Sequence, residues 1–183
     1  MKTLAEIFVD LQGKISNHGF ITLSFSLPKT QSSLLSDTHG TLYYPVTITY
    51  SETPTPHWII SLIVTYSSAC PCSAALSREL LANDFLNDMQ SKSSISPEEV
   101  AKWMLTSSDA GGLAHSQRSE AEITLKYDCL ENIPSLFSLI DRFESCVFTP
   151  VQAAVKRIDE QHFAKRNAQS QKFCEDAVRL LKK

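Results

Sequence analysis

Alternation of apolar and polar residues at every second position marks several stretches of this chain. In "GFITLSFSL" the apolar positions run from Ile21 to Leu27, and "SEAEITLKYD" alternates from Ala121 to Tyr127. This period is typical of strands with one buried side. "TLYYPVTITYS" and the more uniformly apolar "HWIISLIVTYS" predict two further strands, and Pro45 favours an edge or a bulge.

Helical periodicity fills most of the remaining chain. "SPEEVAKWMLT" shows it most clearly, because Ser96 suits the N-cap, Pro97 the first helical position and Glu99 the third. Strands separated by paired helices predict an α+β fold with an antiparallel sheet. The other predicted helices lie in "MKTLAEIFVDLQGKIS", "SRELLANDFLNDMQ", "IPSLFSLIDRFESCVF" and "SQKFCEDAVRLLKK".

Composition narrows the class of protein. A chain of 183 residues with 43% hydrophobic residues suits one compact domain, residues 1–183. The net charge of -3 argues against a nucleic-acid binder. No stretch resembles a signal peptide or reaches the roughly 20 apolar residues that span a bilayer. Five irregularly spaced cysteines argue against a disulfide framework, so we expect a reduced, cytoplasmic protein without membrane contact.

The stretch "SSACPCSAAL" follows the most apolar strand directly and contains Cys70 and Cys72. A thiol at the end of a buried strand suits a metal ligand or a nucleophile. A free cysteine is also often only a small buried residue. A thiolate at neutral pH needs a metal or a nearby positive charge, and the residues alone leave these alternatives open.

Polar groups elsewhere supply further candidates. His115 and Arg118 lie in "AHSQRSEAEITL", just before a predicted strand, and Arg118 suits bidentate phosphate binding. Glu160 and Glu175 lie in polar runs near the end of the chain. Three protein ligands such as Cys70, His115 and one carboxylate leave a position open for water, as in catalytic zinc sites. The alternative ligands are Glu122, Glu144, His57 and His162.

Four motifs in order, "CPCSAAL", "AHSQRSEAEITL", "VKRIDEQHF" and "KFCEDAVR", resemble those of the type IB GTP cyclohydrolases. The resemblance covers most of the chain from about Leu62 to the end. It implies the tunnelling fold, in which antiparallel strands and paired helices assemble into barrels. It also implies a homo-oligomer, a tetramer or larger.

The resemblance implies the conversion of GTP and water to 7,8-dihydroneopterin triphosphate and formate, an entry to folate and deazaguanine synthesis. It implies a divalent metal, zinc or manganese, with iron as a further candidate. The metal ligands would be Cys70, His115 and Glu160, with Cys72 beside them or spare. Glu175 would hold the guanine base or help proton transfer, and Arg118 would contact phosphate, together with Lys156 and Arg157.

Two departures from the family pattern leave alternatives. Family members run longer, so strands of the first half are expected to be missing, and residues 74–113 form an expected helical insertion between the Cys and His motifs. A truncated, non-catalytic protein of the same fold that binds a purine or a metal is therefore the alternative function. A thiol-based enzyme acting on a deazapurine nitrile is a third.

Overall fold

The computed structural model of this protein describes residues 19–107 and 116–182. Within them, four antiparallel strands form one sheet in the order β1-β2-β3-β4. The α+β class and the antiparallel sheet are thereby confirmed, whereas the predicted N-terminal helix lies outside the described residues. The strands are β1 (Phe20–Ser32), β2 (His39–Ser51), β3 (His57–Ala69) and β4 (Ser116–Tyr127).

Helices follow the third and fourth strands. The predicted helical pair between the Cys and His motifs is present, and its second helix starts as predicted. There the Ser96 hydroxyl accepts the Glu99 N–H at 3.2 Å, and the Glu99 carboxylate accepts the Ser96 N–H at 3.0 Å. The helices are α1 (Pro71–Met89), α2 (Pro97–Thr106), α3 (Leu136–Val147), α4 (Arg157–Gln169) and α5 (Cys174–Leu181).

No helix in the described part of the chain combines the length and apolar character needed to cross a membrane.

The hydrophobic core lies between one face of the sheet and α3. Every second residue of β3 points into it, because side chains alternate across a strand. Helix α3 contributes the facing apolar surface, since its buried residues recur at helical spacing. The core is formed mainly by Val46, Ile48, Tyr50, Trp58, Ile60, Leu62, Val64, Leu139 and Phe143.

The opposite face of the sheet is rich in hydroxyl groups. These side chains pair across neighbouring strands at hydrogen-bond distance, which stabilises the strand register. The pairs are Thr22 with Thr49 at 3.0 Å, Ser24 with Thr47 at 3.1 Å and Ser61 with Thr124 at 3.0 Å.

Strands β2 and β3 separate beyond the pair Val46–Leu62. A segment that follows α3 occupies the gap: the Ser67 N–H donates to the Thr149 carbonyl at 2.8 Å, and the Val151 N–H donates to the Thr65 carbonyl at 3.2 Å. Pro45 lies where this fork begins and pairs with Ser26 of β1. It therefore occupies a locally edge-like position in an interior strand, in a continuous register without a bulge.

Candidate functional site

Cys70 lies at the junction of β3 and α1. It is half-buried, its backbone is extended, and its carbonyl accepts the Ala74 N–H at 3.0 Å as the first helical hydrogen bond. Pro71 follows at the first helical position, where its missing N–H costs nothing. A side chain at a helix N-terminus suits an anionic group such as a thiolate. Cys72 is exposed in the first turn of α1.

His115 lies outside the described residues. Its neighbour in the sequence, Ser116, is the first residue of β4 and pairs with Ala69, the last residue of β3. Ala69 in turn precedes Cys70. The sheet register therefore brings together the residues that adjoin the two predicted ligands.

Glu160 lies in the first turn of α4, and its side chain borders a cavity of about 450 Å³. The same cavity is lined by Ala69 and Ser116, the sequence neighbours of Cys70 and His115. One face of α4 forms a wall, with lining residues at the spacing of successive helical turns. The α4 side of the cavity consists of Glu160, Phe163, Ala164, Asn167 and Ala168.

Two residues that line this cavity, Gln152 and Asn167, each have a buried side-chain oxygen without a hydrogen-bond partner among the described residues. Glu160 is the charged residue among the described residues that line the cavity. Among residues 19–107 and 116–182, no three His, Cys, Asp or Glu side chains are grouped closely enough to hold a metal; a set that uses His115 falls outside that comparison.

Asp159, next to Glu160, fixes the start of α4. Its carboxylate accepts the backbone N–H groups of Leu35 at 2.8 Å, Ser36 at 3.0 Å and Lys156 at 3.0 Å. It also accepts the Ser36 hydroxyl at 2.5 Å. The hydroxyl bond, followed by the backbone bonds, holds the pKa of Asp159 well below its usual value of 3.8. The turn between β1 and β2 is thus tied to the helix that carries Glu160.

A second cavity of about 200 Å³ has Cys70 in its wall, together with Lys172 and Cys174. The ammonium of Lys172 is buried and donates to the Val147 carbonyl at 2.8 Å and the Thr149 hydroxyl at 3.0 Å. Burial lowers the pKa of Lys172, and the charge of Arg166 lowers it further.

The remaining predicted site residues lie outside the 450 Å³ cavity. Glu175 is exposed in the first turn of α5, next to the Cys174 that lines the smaller cavity. Arg118 is exposed on β4, opposite Ser67. Lys156 forms an exposed ion pair with Asp37 at 2.6 Å.

The alternative ligands have other surroundings. Glu144 is buried in α3, where it accepts Lys29 Nζ at 2.7 Å and the Tyr44 hydroxyl. His57 is buried at the far end of β3 and hydrogen-bonds the Thr55 carbonyl at 2.7 Å. Glu122 and His162 are exposed. None of the four lines the cavity beside Glu160.

Sequence reasoning missed Asp159, Gln152 and Asn167. The acid three residues after Lys156 is a helix-start signal that could have revealed Asp159, because a carboxylate at the third helical position caps the first turn. Asn167 has no such local signal, since its partners lie on other elements.

A family model described as "Type I GTP cyclohydrolase folE2" matches residues 1–183. The GTP cyclohydrolase FolE2 of Pseudoalteromonas translucida (strain TAC 125) is 41% identical over 185 residues, covering 99% of this chain and 61% of the relative. That of Pseudoalteromonas atlantica (strain T6c / ATCC BAA-1087) is 40% identical, covering 98% and 58%. That of Hydrogenovibrio crunogenus (strain DSM 25203 / XCL-2) is 38% identical, covering 99% and 58%. The chain thus spans about three fifths of the length of these curated relatives.

Proposed function

Because the chain belongs to the type I GTP cyclohydrolase FolE2 family, we propose that it is a metal-dependent GTP cyclohydrolase. The reaction converts GTP and water to 7,8-dihydroneopterin triphosphate and formate. One observation carries the proposal: Glu160 of the third family motif borders the same cavity as Ala69, which precedes the first motif, and Ser116, which belongs to the second.

Cys70, His115 and Glu160 would hold the divalent metal, zinc or manganese. A thiolate, an imidazole and a carboxylate form a common catalytic donor set with one position left open. A metal held there would lower the pKa of its bound water. Hydroxide would then be available at neutral pH to hydrate guanine C8. Glu160 would act from α4, on the cavity that is also lined by Ser116, the sequence neighbour of His115.

Glu175 and Arg118 are the residues proposed to bind the substrate. Glu175, in the exposed first turn of α5, would accept N–H groups of the guanine base and exclude adenine, which lacks them. A carboxylate in this position can also move a proton during ring opening. Arg118, exposed on β4, would bind the triphosphate bidentately.

We propose further that copies of this chain assemble into a homo-oligomer in the cytoplasm. Strands β1 and β4 form the two edges of the sheet, with pairing in the described residues on one side only. Long unpaired edges are available for pairing between chains. The exposed hydroxyl-rich face would then line the interior of the assembly.

The proposal is tested by incubating the purified chain with GTP and either Zn²⁺ or Mn²⁺, and measuring bound metal and released formate together. We expect about one metal per chain and formate release. Glu160→Ala should abolish both, because it removes a ligand, whereas exposed Gln161→Ala on the same helix should leave both unchanged. Bound metal without formate would support the non-catalytic alternative, and neither metal nor formate would overturn the proposal.

A further inference from the structure

Asn167 is a buried amide near the end of α4, with 6% of its surface exposed. Burying an amide costs free energy unless its groups are hydrogen-bonded, so such residues are retained where their bonds matter. The side chain of Asn167 points away from solvent, towards the ends of β3 and β4. Its partners there show what the buried amide holds in place.

The Asn167 Nδ2 group donates to two serine hydroxyls, that of Ser67 at 2.8 Å and that of Ser116. The two hydroxyls also bond each other across β3 and β4 at 3.0 Å. The three side chains form a closed triangle with one corner on each of three elements. We call Ser67, Ser116 and Asn167 the amide triangle.

Each residue of the amide triangle lies within seven sequence positions of one proposed metal ligand. Ser67 precedes Cys70 by three residues on the same strand end, and Ser116 directly follows His115. Asn167 follows Glu160 by seven residues, or two helical turns, so both side chains lie on one face of α4 about 10 Å apart. The triangle therefore links the three segments that carry the ligands.

Packing between α4 and the strand ends is incomplete at this point. The 450 Å³ cavity lies between Ala69 and Ser116 on one side and the Glu160–Ala168 face of α4 on the other. Close packing, which normally fixes the position of a helix, is interrupted by that volume. The hydrogen bonds of Asn167 bridge the gap at one end of the cavity, while Asp159 anchors the helix at the other.

We propose that Asn167 is a positioning residue of the metal centre, which holds the helix of Glu160 against the strand ends at Ser67 and Ser116. The inference rests on the proposed function, since it concerns the same three ligands. Asn167 acts through Ser67 and Ser116 and not by binding the metal. Partners that orient ligands in this way typically change metal affinity by about 10- to 100-fold when removed.

The test is metal binding by the full 183-residue chain, measured with Zn²⁺ or Mn²⁺ in competition with a chelator. Asn167→Ala should weaken binding by about 10-fold or more. The visible spectrum of the Co²⁺-loaded protein should also change, because it reports the geometry of the ligands. Ser116→Ala, at the solvent-exposed start of β4, should weaken binding comparably and remains informative if Asn167→Ala does not fold.

A double mutant separates positioning from general stability. If Asn167 acts through Ser116, then Ser116→Ala in the Asn167→Ala protein should weaken metal binding little further. Independent, additive losses would overturn the inference. Matched controls are Gln169→Ala, an exposed amide on α4, and Ser61→Ala, which removes one hydroxyl of the 3.0 Å pair with Thr124 on the same two strands. Both should bind metal as the unaltered chain does.

Glu160→Ala distinguishes this inference from the proposed function. If Glu160→Ala keeps normal metal affinity, the ligand set itself is wrong. If Glu160→Ala loses the metal while Asn167→Ala and Ser116→Ala retain normal affinity and an unchanged Co²⁺ spectrum, the function stands and the positioning role is wrong.

Discussion

At the scale of single residues, the two neighbours Asp159 and Glu160 have different roles, one structural and one proposed as a metal ligand. Asp159 is fully buried and accepts several hydrogen bonds, whereas Glu160 lines the cavity and its carboxylate has no hydrogen-bond partner among the described residues. The helix geometry explains why the two side chains have different surroundings, because adjacent residues on a helix point about 100° apart. The structural acid thereby fixes the direction of the proposed metal ligand.

The hydrogen bonds of Asp159 predict a pH dependence of stability. Its folded pKa lies below the ordinary 3.8, so the ionised form favours folding. This contribution is complete above about pH 4 and is lost as the pH falls through the lower folded pKa. We expect Asp159→Asn to lower the melting temperature at neutral pH and to flatten its acid decline between about pH 4 and pH 2, measured by circular dichroism.

Asp176→Asn is the matched control for that change. Asp176 occupies the same third helical position in α5 and accepts the Phe173 N–H at 3.0 Å and Arg179 at 2.8 Å, so its side-chain partners in the described part of the chain are all within three positions. Its replacement should move the melting temperature less. An acid decline in Asp159→Asn as steep as that of the unaltered chain would show that other carboxylates control the transition.

At the scale of elements, the segment after α3 determines where α4 begins. The segment lies in the fork between β2 and β3, and there Gly40 of β2 meets Ala153. A Cβ built on Gly40 would lie 2.6 Å from the Ala153 Cβ and 3.0 Å from its carbonyl carbon. Only glycine permits this approach. The Ala153 N–H also donates to the Gln31 side chain at 3.1 Å, so the segment contacts both β1 and β2.

Gly40→Ala should therefore push the segment away from the sheet. We expect a loss of about 1–3 kcal/mol in the free energy of unfolding, as for other over-packed sites. Metal affinity should fall as well, because the segment leads into α4 and Glu160. Urea unfolding and chelator competition measure the two effects. The double variant Gly40→Ala with Ala153→Gly removes the nearest clashing atom and should recover part of both; full stability of Gly40→Ala alone would show that the segment shifts freely.

Elements with strong local signals were predictable from sequence, and others were not. Helix α2 was predicted to its cap because Ser96, Pro97 and Glu99 act within one turn. Helix α4 had no comparable apolar stripe, since in it only Asp159 and Asn167 are buried. Its position depends on hydrogen bonds to residues a hundred or more positions away, such as Ser36 and Ser67. A single sequence does not encode such pairings in any local pattern.

At the scale of the whole molecule, the candidate site is a meeting point of distant parts of the chain. Cys70 precedes His115 by 45 residues, and His115 precedes Glu160 by another 45 (115 − 70 and 160 − 115). Motif resemblance predicted them as ligands, but the cavity between α4 and the strand ends became visible only in the structure. The unfolded chain cannot hold these ligands together, so metal binding should favour the folded state alone.

Metal removal should therefore destabilise the whole protein. At a free metal concentration 100 times the dissociation constant, linkage gives about 2.7 kcal/mol of added stability. For a chain of this length that raises the melting temperature by roughly 5–10 °C. The measurement is thermal unfolding of chelator-treated protein with and without Mn²⁺ or Zn²⁺. The shift should shrink at acid pH, where protons compete for the ligands. The increase in melting temperature on adding metal should be absent in His115→Ala. An equal increase in His115→Ala would place the stabilising metal elsewhere in the protein.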